Sequence, residues 1–211
     1  AGQCQLPTKA FLTGMDAPLG ATAGNWLEVK EAARCLRGYG PDDLQGLVVE
    51  FAAALLVQTG RFKGLPKAKQ RVLEVLSTDE PSRRFEALIK AQGGNLEEFK
   101  ALLAKDTLAP VVREFVLPDE GFVSRVDARI IGEIVRDLGG GRLRNDSAID
   151  HTVGLDCLAK PGEPFGVNSL FARVHARTEA EAERALEKLK DAFSFQSDSF
   201  EVPPLVVEVL G

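Results

Sequence analysis

Residues Met15–Glu31 read Met-Asp-Ala-Pro-Leu-Gly-Ala-Thr-Ala-Gly-Asn-Trp-Leu-Glu-Val-Lys-Glu, a loop of small residues that runs into a helix. Ahead of it, residues 6–12 (Leu-Pro-Thr-Lys-Ala-Phe-Leu) form an apolar run of strand length. Behind it, Trp26, Leu27, Val29, Ala32, Ala33 and Leu36 recur at helical spacing. Asn25 is the expected N-cap, with Glu28 closing a capping-box-like pair, and Gly38 follows the last turn. The unit is strand, glycine-rich turn, helix. In open α/β sheets such turns lie at the carboxyl ends of parallel strands, where ligands and ions gather.

Outward from this unit, Gly40-Pro41-Asp42-Asp43 marks a turn and an acidic helix start. Residues 44–59 are apolar nearly all round, which predicts a buried helix. Further helices are expected over 67–76, 81–92 and 96–105, with a connector at 107–110. Then the texture changes. Val111–Leu117 and residues 122–126 flank Pro118-Asp119-Glu120-Gly121, a hairpin signal. A helix over 128–138 stops at three glycines; strands follow at 152–159 and 170–176. Thr178 with Glu181 opens a helix through Phe193, and 202–210 is a last strand carrying Pro203-Pro204. The fold class is α/β, passing into a compact α+β module: residues 1–110 form one domain and 111–211 the next.

The opening stretch resembles a segment of the thymidine and pyrimidine-nucleoside phosphorylase family. The matching residues are Met15, Asp16, Pro18, Leu19, Gly20, Gly24, Asn25, Leu27, Glu28, Val29, Lys30, Glu31 and Ala32. Gly14 and Ala17 depart from the family's usual acid and Gln. The likeness continues through Gly40, Pro41, Asp43 and Leu44, and through Ala91-Gln92-Gly93-Gly94. In the second module it rests on Glu120-Gly121-Phe122-Val123, then Leu138, Gly139, Gly141 and Arg142. It extends through Asp146, Ile149, Asp150, Val153 and Gly154 to Val174-His175-Ala176. The resemblance implies the remainder of a phosphate-binding α/β domain followed by an α/β-hammerhead-like C-terminal domain. It also implies that the chain is the C-terminal part of something longer, whose missing N-terminal part is its partner.

The family's chemistry, as the resemblance implies it, is phosphorolysis of a pyrimidine nucleoside by a pentosyltransferase, with phosphate as co-substrate, in a homodimer. Its glycine-rich phosphate loop, Lys-His-Ser element and base-contacting Arg/Ser/Lys set match nothing in residues 1–211. No catalytic or substrate-binding residue is therefore expected in this chain. The competing readings are a non-catalytic scaffold or ligand-binding module, and a phosphoribosyltransferase relative; the second module argues against the latter.

On spacing alone, Glu28 and Glu31 are acids serving the start of a helix and its dipole. The resemblance places a potassium or calcium ion on the carbonyls of Leu19 and Thr22 and the carboxylate of Glu31, a set of hard oxygens suited to such ions. Thr22 replaces a usual Ala, which a carbonyl contact tolerates. His151 and His175 have no Ser or Cys placed as a nucleophile, and both read as structural. Residues 139–144 (Gly-Gly-Gly-Arg-Leu-Arg) close a helix rather than open one, so they are a stop and no phosphate cradle; Arg142 and Arg144 are expected to pair with Asp146 or Asp150. Residues 79–84 form a capped, solvated helix start.

Composition narrows the setting. With 211 residues, 45% apolar and 27% charged, the chain can build a core. A net charge of −5 and pI near 5.2 exclude a nucleic-acid footprint. No apolar run has the length of a bilayer span. Cys4, Cys35 and Cys157 carry no paired spacing, the pattern of free thiols in a reducing cytoplasm.

Overall fold

The computed structural model describes residues 7–142 and 144–211. Cys4, the start of the expected first strand at Leu6, and Leu143 lie outside the described residues. The chain divides into two compact units built from separated stretches, 7–14, 32–95 and 203–211 in one, 15–31 and 96–202 in the other.

In the first unit, β1 (Ala10–Thr13) pairs antiparallel with β8 (Val206–Leu210), Phe11 standing opposite Val209. The expectation of a parallel opening strand is corrected here, because the β-branched run at the other end of the chain supplies an antiparallel partner without a crossover. The last strand begins only at Val206, since Pro203 and Pro204 have no N–H to give a ladder. Helix α1 (Asn25–Cys35) ends in this unit, where Gly38 N–H bonds to Cys35 O and Tyr39 N–H to Arg34 O, the closing pair expected of a C′ glycine.

Helices α2 (Asp42–Gln58), α3 (Leu65–Leu76) and α4 (Glu80–Ala91) follow, the last two starting with Pro in the first turn. Val49 and Ala53 of α2 pack on Ala68, Val72 and Leu76 of α3. The buried-helix expectation for α2 holds for one face only. Leu55 is 59% exposed and Phe51 40% exposed, Phe51 resting against the Phe11 ring at 4.8 Å. The apolar residues exceed what α3 covers.

The second unit carries the first turns of α1, α5 (Leu96–Leu103), two three-stranded antiparallel sheets and two further helices, α6 (Ala128–Val135) and α7 (Glu179–Ala192). One sheet has the order β2-β6-β4 (Val111–Leu117, Ser169–Ala176, Gly154–Asp156). The other has the order β5-β3-β7 (Pro164–Phe165, Gly121–Val126, Phe193–Gln196). The hairpin reading of β2 and β3 is thereby overturned. β2 pairs along its whole length with β6, from Val111 opposite Ala176 to Leu117 opposite Ser169, while β3 pairs with β5 and β7 in the other sheet. Turn chemistry signals a reversal; cross-strand packing chooses the partner.

Helix α6 starts on Asp127, whose carboxylate accepts the N–H groups of Arg129 (2.9 Å) and Ile130 (3.1 Å). It widens into a single π turn at Arg136–Gly140, kinked where Gly139 leaves helical backbone at φ 100°, before Gly141 ends it in extended backbone, so the glycine stretch is a helix stop. Helix α7 takes its cap from Thr178 and hands over directly to β7, which ends the expected helix one residue before Phe193. Phe193 instead joins Phe115, Phe165, Phe171 and Phe195 in a cluster of edge-on, tilted and, for Phe193 on Phe195, stacked rings, 4.9–6.3 Å between neighbours. Ile131, Ile134, Leu155, Val174 and Leu189 complete this core. Strand β4 is shorter than expected because Cys157 turns to φ 53° and breaks the ladder.

Candidate functional site

The small-residue loop at 15–24 is held backbone to backbone against residues 151–158. Ala23 and Leu155 exchange both bonds (2.9 and 2.8 Å), Leu158 N–H reaches Ala21 O (3.0 Å), and Trp26 N–H reaches His151 O (3.2 Å). Two glycines permit this approach: a Cβ on Gly154 would lie 2.4 Å from Ala23 O, and one on Gly24 would lie 2.7 Å from Val153 O. Asn25 does not cap α1 as expected. Its Nδ2 donates to Gly140 O at 2.8 Å, leaving Gly24 to open the helix, and Glu28 reaches back to Gly24 N–H at 2.9 Å.

Leu19, Thr22 and Glu31 lie in this one unit. The Glu31 carboxylate folds back over the loop and accepts from Ala21 N–H at 2.9 Å and Thr22 Oγ1 at 3.1 Å. Gly20 passes beneath it so closely that a Cβ there would sit 2.2 Å from Glu31 Oε2. Among the described residues no three His, Cys, Asp or Glu side chains gather as a metal-holding group. A cation at this loop would rest on backbone carbonyls and one carboxylate. That donor set fits a hard ion in kind, and three oxygens fall short of the six to eight that calcium takes.

A second constellation escaped the sequence. Lys30, 8% exposed on α1, donates to the carbonyls of Lys105 (2.5 Å) and Asp106 (2.8 Å). The Asp106 carboxylate meets Arg173 Nη1 at 3.1 Å. Arg173 grips Asp156 in two-point fashion, Nε to Oδ1 at 2.8 Å and Nη2 to Oδ2 at 2.6 Å. His175, fully buried, places Nε2 3.0 Å from Asp156 Oδ1 and Nδ1 3.0 Å from Thr107 Oγ1. The Nε2 approach is a close polar contact rather than a well-aligned hydrogen bond. Burial alone would raise the Asp156 carboxyl, but His175 and Arg173 overcome it and hold the group far below the usual carboxylate range. Hydrogen bonding to Asp156 raises the Arg173 guanidinium in turn.

Hydroxyl, imidazole and carboxylate thus stand in a row at Thr107, His175 and Asp156, yet the row does not form a catalytic triad. His175 has no exposed surface, and Thr107 Oγ1 already accepts Ala109 N–H at 3.1 Å. The network fastens the connector at 105–109 to α1 and to the β4–β6 pair. Its sequence signal was slight: Asp156 stands directly opposite Arg173 across the strands, a register visible only once the sheet is assembled. Arg144 does pair with Asp146 (3.3 Å, both exposed), whereas Asp150 accepts from Thr152. His151 is exposed, Cys35 is buried, and Cys157 is an exposed free thiol. Among the described residues no helix is long and apolar enough to cross a membrane.

Residues 122–196, most of the two-sheet unit, match the profile of the pyrimidine nucleoside phosphorylase C-terminal domain. The chain is related to the C-terminal part of the thymidine and pyrimidine-nucleoside phosphorylases. A thymidine phosphorylase of Colwellia psychrerythraea is 30% identical over 94% of this chain and 46% of its own length. One of Burkholderia orbicola is 33% identical over 98% of the chain and 47% of its own length. The mouse thymidine phosphorylase is 32% identical over 97% of the chain and 45% of its own length. The chain spans about half the length of the relatives it matches.

Proposed function

We propose that this chain is the C-terminal part of a pyrimidine-nucleoside phosphorylase, with thymidine its foremost substrate. The intact enzyme, a pentosyltransferase, breaks the N-glycosidic bond with phosphate, yielding a free base and a 2-deoxyribose (or ribose) 1-phosphate. What carries the reading is that relatives named thymidine phosphorylase align with 94–98% of the chain. Phosphorolysis demands backbone amides and hydroxyls for phosphate, and donors for the base as negative charge develops on it. Those groups belong to the upstream half; this chain contributes no catalytic or substrate-binding side chain. Residues 1–110 complete the phosphate-binding domain, and 111–211 form the hammerhead-like domain. The scaffold and phosphoribosyltransferase readings have no comparable support.

In this reading a potassium or calcium ion is held by Leu19 and Thr22 carbonyls and Glu31, with further ligands from the upstream half. When bound, such an ion would supply positive charge that stiffens the loop. The place of Glu31 over the loop supports the assignment. The protein is a cytoplasmic homodimer that meets neither nucleic acid nor membrane.

The test is an intact mass under denaturing conditions followed by an assay of thymine release from thymidine. A second polypeptide beside the 22.8 kDa chain, with release that requires phosphate, is the expected result for the active protein. The 22.8 kDa chain alone is expected to be inert. Phosphorolysis by the lone chain would overturn the placement of the active site upstream, and an inert two-polypeptide complex would overturn the activity itself.

A further inference from the structure

We infer that Lys160 is the resident cation of the loop at 18–24, a tethered ammonium that positions this loop by binding its carbonyls. Lys160 stands far away in sequence, in the turn Lys160-Pro161-Gly162-Glu163, yet its Nζ donates to Pro18 O and, at 2.8 Å, to Gly20 O. Those carbonyls flank Leu19. From the other side Glu31 takes the loop's donors, Ala21 N–H and Thr22 Oγ1. The loop is thus clamped by one cation on its carbonyls and one anion on its N–H and O–H groups, within a single unit.

The lysine is itself fixed. Its own N–H donates to Glu163 Oε2 at 3.0 Å, Glu163 N–H returns to Lys160 O at 3.1 Å, and the neighbouring Ala159 N–H is tied to Phe171 O at 2.9 Å. A small-residue loop has few side chains of its own with which to hold a shape, so its carbonyls need outside donors. An ammonium on a packed stem supplies them at less entropic cost than a free ion, because the stem's position is set by the fold. This role is independent of whether a metal ion also binds the loop.

The test reads hydrogen exchange at the amides of Ala21, Ala23, Leu155 and Leu158 in the 211-residue chain. Lys160→Met keeps the stem and removes the charge; it is expected to speed exchange at these four amides about ten- to a hundredfold, the loss of charged hydrogen bonds. Amides of the β2–β6 ladder should stay protected. In Lys160→Ala, methylammonium should restore part of the protection, and choline at equal ionic strength should not. Unchanged exchange in Lys160→Met, or equal effects of the two ions, would overturn the proposal. Should either variant unfold the unit, Lys160→Arg decides: retained protection supports the charge, and lost protection refutes it.

Discussion

Replacing Asp156 by asparagine is expected to destabilise the two-sheet unit by about 3–5 kcal/mol, the usual cost of breaking a buried ion pair from one side. Asp156 is the anion between two partners, Arg173 by a two-point grip and His175 by close contact. Removing its charge leaves the guanidinium, among the described residues, with the exposed Asp106 carboxylate, and leaves the imidazole beside a neutral amide. Chemical denaturation at neutral pH, followed through Trp26 fluorescence and far-UV circular dichroism, measures the loss. A cost below about 1 kcal/mol would mean that the pair merely offsets its own desolvation. Double replacement of Asp156 and Arg173 by apolar residues should recover part of the loss, since no buried charge is then stranded.

The same residue sets an acid dependence. In the unfolded chain the carboxyl titrates near 3.9, whereas in the folded unit it stays ionised to far lower pH. Below about pH 5 the unfolded chain therefore binds a proton that the folded one refuses. Its contribution to stability is complete above that pH and drains away as pH falls towards the folded value. For one proton the slope approaches about 1.4 kcal/mol per pH unit. The asparagine variant should lose that share of the slope. Asp106, Asp137, Asp150 and Glu181, also shifted downward, keep the remainder. Identical acid slopes in the two proteins would contradict the assignment.

The legible and illegible parts of this molecule differ in physical kind. The turn-to-helix passage at 15–31 was readable because helical periodicity and glycine are local signals. The cap was only half readable: Glu28 turns back as expected, but Asn25 is drawn away by Gly140, a partner 115 residues distant. Partner choice among strands was not readable, because the pairing of β2 depends on β6 and that of β3 on β7. Nor was the Lys30–Asp106–Arg173–Asp156 chain, since one acid on β4 and one Arg on β6 look solvated until the register sets Asp156 against Arg173. In the loop, Leu19, Thr22 and Glu31 were named from resemblance. The fold adds a different pair of attachments, the Thr22 hydroxyl on Glu31 and the Lys160 ammonium on Pro18 and Gly20. The first depends on how the loop folds back over the helix start, and the second joins segments 140 or more residues apart whose proximity is a product of tertiary folding.

Gly154→Ala is expected to loosen the same loop through sterics alone, at a cost of about 2–5 kcal/mol from backbone strain and overpacking together. Gly154 has φ 150°, a conformation L side chains rarely adopt. Its added methyl would meet Ala23 O at 2.4 Å, Gly24 Cα at 3.0 Å and Leu27 Cδ1 at 3.1 Å. The first two are backbone atoms, which cannot swing aside as the end of a side chain can. The paired bonds between Ala23 and Leu155 must lengthen, and with them goes the alignment of the loop that carries Leu19 and Thr22. Gly139→Ala is the matched control, because φ there is 100° but the nearest atoms to the added methyl belong to the Arg177 guanidinium, Nη2 first at 3.5 Å, ordinary contact with the end of a flexible side chain. It should cost about 1–2 kcal/mol, the strain of a left-handed residue alone. Thermal unfolding ranks the two variants, and exchange at the Ala23 and Leu155 amides locates the damage. If Gly154→Ala proves no worse than Gly139→Ala, the backbone crossing is not the tight point of this unit, and the loop is held chiefly by its charged clamps, Lys160 and Glu31.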